Sequence, residues 1–116
     1  MPGDQDQQRY NELKRSIGKL GLIRHGSLVR RFMPCGTPGC HCHDDPPKLH
    51  GPYYQWTRKL HGKTVTVRLD EQQAKVLAEW IENGRQLDEI LGQMEAIALR
   101  ITDRVLKQLP KHAAKR

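Results

Sequence analysis

K-T-V-T-V-R-L-D-E-Q-Q, running from Lys63 to Gln73, holds the change of period on which the fold turns. Val65, Val67 and Leu69 alternate with Thr64, Thr66 and Arg68, giving a strand with one apolar face and one polar, basic face. At Asp70 the period changes. Asp70 stands as an N-cap and Gln73 occupies the capping-box position, so the pair can satisfy two backbone N–H groups at a helix start. From Glu71 to Leu109 no proline intervenes, and Leu77, Trp80, Leu87, Leu91, Met94, Ala98, Ile101 and Val105 recur in a three-four rhythm. Unbroken, such a helix is about 58 Å long at 1.5 Å per residue. Asn83-Gly84 is where a break into two helices would fall.

Before it, Tyr53–Lys59 is a second strand-like run, joined through Leu60-His61-Gly62 into a hairpin. S-L-V-R-R-F-M, Ser27–Met33, reads as a third strand with Val29 and Arg31 on one face and Leu28, Arg30 and Phe32 on the other. Tyr10, Leu13, Ile17 and Leu20 make one apolar stripe on a short helix from about Asp6 to Lys19, ended by Gly18 and Gly21. The expected fold is α+β: an N-terminal helix, a three-stranded antiparallel sheet with a zinc-binding loop between its first two strands, and a long C-terminal helix. Residues 1–25 are read as helix and linker, 26–70 as the zinc-loop and sheet module, and 71–109 as the long helix. Residues 110–116 are read as a disordered basic tail. Tyr54 and Trp56 are assigned to the core; Tyr53 is left to either face.

Cys35, Cys40 and Cys42 crowd between strands one and two, with His50 beyond them. Three thiolates and an imidazole are the tetrahedral donor set that zinc prefers, and Gly36, Pro38 and Gly39 are residues a tight loop needs to bring sulfurs together. Thr37-Pro38-Gly39-Cys40 has the Pro-Gly centre of a type II turn. His50 is preferred as fourth ligand because it stands at the mouth of a strand. His41 lies between two ligands, and His43, close to Cys42, is the second candidate. A closed structural zinc site is expected. An open catalytic one would need a base nearby, and Asp44 and Asp45 read as solvated acids. An odd number of clustered cysteines is not a secreted disulfide framework, so a reducing, cytoplasmic setting is expected.

Lys and Arg number 20 against 13 Asp and Glu, a formal charge of +7, which favours a polyanionic partner. Arg30, Arg31, Arg58, Lys59, Lys63 and Arg68 fall on the three strands, with Thr64 and Thr66 beside them. A small sheet fits the DNA major groove, where Arg reads guanine, Lys holds phosphate and Thr adds hydroxyl contacts. DNA is the expected partner, with RNA and single strands open alternatives. The helical stripe suits a homodimer seam of coiled-coil type. No stretch is long and apolar enough for a membrane span. No Ser-His-Asp set, phosphate loop or paired-carboxylate motif stands out, so a binding protein and not an enzyme is expected. The rival expectation is a protein–protein adaptor that uses the long helix, its charge serving solubility.

G-S-L-V-R-R at Gly26–Arg31, C-G-x-P-G-C-x-C at Cys35–Cys42 and H-G-P-Y-Y at His50–Tyr54 resemble a group of small bacterial and archaeal proteins with a domain of unknown function, often met near mobile elements. The resemblance implies the metal loop of Cys35, Cys40, Cys42 and His50, the hairpin and the long helix, and no established activity. The hairpin followed by a helix is also similar to the three-stranded arm-binding domains of phage integrases, which read DNA with a sheet.

Overall fold

Local chemistry accounts for each element of the computed structural model, which describes residues 2–109. Helix α1 spans Pro2–Ile17, strand β1 Ser27–Met33, β2 His50–Leu60, β3 Lys63–Leu69 and helix α2 Glu71–Gln108, with one turn of 3-10 helix at His41–His43. This is the expected α+β fold. The basic tail, residues 110–116, lies outside the described residues. Helix α1 starts at Pro2 and not at Asp6, since proline is well tolerated in a first helical turn. Contacts divide the chain into two compact units, Met1–Gly21 with Arg85–Arg116, and Leu22–Gly84. Among the described residues no helix is long and apolar enough to cross a membrane.

The unit Leu22–Gly84 is built on an antiparallel meander ordered β1-β2-β3. Strands β2 and β3 meet through His61 and Gly62, whose φ values of 51° and 79° are the paired positive angles of a type I′ turn. That turn twists with the strands it joins. Register aligns Leu28 with Trp56 and Trp56 with Val67, then Arg30 with Tyr54 and Tyr54 with Leu69. Strand β2 begins at His50, earlier than the aromatic run beginning at Tyr53, because His50 pairs with Met33 across a register shift between Arg31 and Met33. A β-bulge of this kind is invisible to period counting.

Asp70 and Gln73 form the reciprocal capping box: the Gln73 N–H donates to Asp70 Oδ1 at 2.8 Å and the Asp70 N–H to Gln73 Oε1 at 2.9 Å. The first half of α2 lies along the Leu28, Tyr54, Trp56 and Leu69 face, with Ala74, Leu77 and Ile81 buried. Burying a leucine contributes about 1.5–3 kcal/mol, more than helix propensity offers per residue. Packing therefore holds this stretch helical.

Helix α2 is continuous through Asn83-Gly84. Both residues serve the segment that precedes β1. The Asn83 amide donates to the Leu22 carbonyl at 2.9 Å, and the Arg24 N–H donates to the Trp80 carbonyl at 3.1 Å. A Cβ on Gly84 would collide with the Arg24 carbonyl oxygen. What reads locally as a helix break is a close approach of two backbones.

In the other unit α1 runs antiparallel to the second half of α2. Leu13 is buried with Met94 and Ile97, and Tyr10, Ile17, Ile90 and Ile101 pack around them. Asp6 bridges Arg100 at 3.0 Å and Arg104 at 2.9 Å. These guanidiniums, Arg100 first, hold the Asp6 carboxyl below its usual value. The three-four stripe of α2 is thus shared out within the chain: Leu77 buries near the sheet, Met94 and Ile101 against α1. Leu91, Leu99, Val105 and Leu106 stay exposed, Leu99 at 62% and Leu106 at 63%.

Candidate metal centre and basic sheet face

The loop between β1 and β2 is shaped by its turns. The Cys40 N–H donates to the Thr37 carbonyl at 3.4 Å and Gly39 has φ 80°, which closes the Thr37–Cys40 turn as type II. Cys35 lies two residues past the end of β1, Cys42 sits in the 3-10 turn, and His50 opens β2. One ligand atom from each of Cys35, Cys40, Cys42 and His50 lies within 4.8 Å of all the others. Cys35 Sγ is 3.5 Å from Cys42 Sγ, and Cys40 Sγ is 3.1 Å from His50 Nε2.

Bonds of about 2.3 Å from zinc to sulfur place tetrahedral ligand atoms about 3.8 Å apart, so the cluster needs only small side-chain rotations to close on an ion. The sulfur separation is far beyond the ~2.05 Å of a disulfide, and all three cysteines are free. Cys42 is 2% exposed, and its burial pushes its thiol up. Cys35 is pulled down to about 6, first by the Thr37 backbone N–H and then by Cys42. The thiolate is the metal-binding form, and Cys35 takes it near neutrality.

The two other histidines of this loop, His41 and His43, are engaged elsewhere. His43 Nε2 lies 2.9 Å from the Cys35 carbonyl oxygen, and His41 Nδ1 lies 3.2 Å from Asp44 Oδ2 on an exposed edge. A cluster of these four donors is compatible with a structural metal ion that ties the end of β1 to the start of β2.

Register sorts the basic residues onto two faces. Arg30, Arg58 and Lys63 lie on the side that α2 covers; Arg31, Lys59, Thr64, Thr66 and Arg68 lie on the other, joined by Tyr53, Gln55 and Thr57. On the outer face Arg31 Nη1 donates to Gln55 Oε1 at 3.3 Å, Thr57 and Thr66 hydroxyls meet at 3.0 Å, and the Arg68 guanidinium stacks 3.7 Å from the Tyr53 ring centre. No acid occupies a strand position on this face. On the covered side Arg58 stacks on Trp56 at 4.1 Å and Arg30 on Phe32 at 5.0 Å. Sequence reading did not single out Gln55 or Arg24, which stacks on Trp56 at 4.7 Å. Gln55 was legible from alternation within β2; the Arg24–Trp56 contact spans distant positions and leaves no local signal.

A three-stranded meander, a cluster of three cysteines and a histidine at one end, and a capping long helix define a small α+β protein with a metal-type cluster. The chain belongs to the family described as Domain of unknown function (DUF6788), which matches residues 4–79, more than half of its 116 residues. That match takes in most of α1, the sheet, the cluster and the start of α2. No curated protein and no solved structure matches the chain.

Proposed function

We propose that the protein binds DNA through the outer face of its sheet, with zinc as the ion at the Cys35, Cys40, Cys42 and His50 cluster, as a regulator or accessory factor of a mobile element. The observation that carries this reading is the cross-strand patch of Arg31, Tyr53, Gln55 and Arg68, two cations and their partners on a face with no acid at a strand position. Guanidinium and amide groups suit base edges in the major groove, while Lys59, Thr64 and Thr66 suit phosphates. The metal tie holds the β1–β2 pairing that sets Arg31 beside Tyr53. Free thiols suit a reducing cytoplasm, and binding without catalysis is the role assigned here.

Adjacent arginines on opposite faces supply the test. Anisotropy of a labelled duplex at two salt concentrations should show affinity falling steeply with salt. Arg31→Ala should weaken binding by about 1–3 kcal/mol if Arg31 reads a base, and Arg30→Ala by much less, although both remove one positive charge. Equal losses from both variants would overturn the assignment of the face.

A second reading has its own observation, the exposed leucines Leu91, Leu99 and Leu106 on α2. They support a homodimer, or an adaptor role in which α2 meets another protein. Sedimentation velocity of the protein alone separates these, because a dimer doubles the mass without a partner.

A further inference from the structure

A cleft of about 540 Å³ opens at the end of the sheet where β1 begins. Its lining includes Arg24, His25, Arg58 and Lys59, the hydroxyl-bearing residues Ser27 and Thr64, and no acidic residue. Arg24 and Arg58 both stack on the Trp56 ring, at 4.7 and 4.1 Å. Stacking occupies the flat faces of a guanidinium and leaves its N–H edges for an acceptor. Arg58 Nη1 is buried with no hydrogen-bond partner among the described residues, a state that buried donors rarely keep without an acceptor of some kind. The Trp56 indole N–H donates to the His25 carbonyl at 3.1 Å, which orients the ring on which both arginines stack.

We propose that this cleft is a phosphate site, and that the phosphate it takes is carried on a nucleotide of the DNA laid across the sheet. The second half rests on the DNA reading above. Preorganised guanidiniums, a lysine and hydroxyls are the donors that phosphate oxygens accept from, Arg in bidentate fashion. The cleft is roomier than a bare orthophosphate requires, falling within the range of pockets that hold whole small molecules. Thr57, Lys59 and Thr64 belong to both the cleft lining and the outer sheet face, so a strand crossing that face passes the cleft mouth.

The Trp56 indole N–H is a built-in reporter. In nitrogen-labelled, zinc-loaded full chain, inorganic pyrophosphate should move that signal saturably and leave the Trp80 indole as a control of folding. Arg24→Gln and Lys59→Ala should each weaken pyrophosphate about tenfold, the effect of removing one charge-assisted hydrogen bond. No saturable shift, or two variants that bind like the parent, would overturn the site. A short duplex is the second arm. A shift of the same signal that Arg24→Gln abolishes supports the DNA strand as the source. A duplex that binds while the Trp56 signal stays still overturns that source and leaves free phosphate ligands in the cleft. If pyrophosphate binds and no nucleic acid does, the DNA reading fails and the phosphate site stands.

Discussion

Alanine at Gly84 and alanine at Gly92 should change stability in opposite directions. Both positions lie inside α2, so each substitution gains about 0.8–1.0 kcal/mol of helix propensity. Gly92 has open space where a Cβ would go, so nothing opposes that gain. At Gly84 the Cβ meets the Arg24 carbonyl oxygen, a backbone atom that cannot rotate away. Forcing such an overlap costs about 1–3 kcal/mol. Shifting the segment to relieve it strains the 3.1 Å bond from the Arg24 N–H to the Trp80 carbonyl, worth about 0.5–1.5 kcal/mol. The expected balance is a net loss of about 1–2 kcal/mol for Gly84→Ala and a gain of nearly 1 kcal/mol for Gly92→Ala. Near 100 residues each kcal/mol moves Tm by about 4–8 °C, so circular-dichroism melts with zinc present should place the two variants on opposite sides of the parent. Gly84→Ala should also displace Arg24 and His25 in the wall of the proposed phosphate cleft and weaken pyrophosphate. Equal stabilisation by both alanines would refute the close approach.

Two further outcomes follow from single contacts. His50→Ala should lower zinc affinity strongly, while His43→Ala should change it little, because His43 Nε2 is already against the Cys35 carbonyl; competition with a chromophoric chelator reads both, and the reverse order would move the fourth ligand to His43. The Asp6 carboxyl, lowered by Arg100 and Arg104, stabilises α1 above its unfolded value near 3.8 and loses that contribution as pH falls through its lower folded value. Hydrogen-exchange protection of α1 amides should therefore drop in that acid range in the parent and stay flat in Asp6→Asn; parallel profiles would remove the ion pairs from the account of α1 docking.

Much of this architecture is written locally. Alternation at Val65, Val67 and Leu69 gives β3, Asp70 and Gln73 give the start of α2, and Thr37–Cys40 gives the turn that gathers the thiols, because each depends on neighbours in the chain. The cluster was legible for the same reason, with its four donors between Cys35 and His50. Other features depend on contacts between distant positions. Which arginines share a face requires strand register, and the irregularity between Arg31 and Met33 hides it. Asn83-Gly84 carries the composition of a break, yet Leu22 and Arg24 use both residues inside a helix. The stripe from Leu77 to Val105 has a seam's period, but period alone does not say that α1 claims Met94 and Ile101. Arg24 and His25 read as linker until Trp56 is placed beside them.

The proposed metal tie between β1 and β2 would support both proposed binding surfaces. Metal analysis of protein purified without chelator tests it directly: about one zinc per chain should be found, and Cys42→Ser should lose it along with ordered β1–β2 pairing. Protein that carries no stoichiometric metal and keeps its melting temperature in strong chelator would contradict the account.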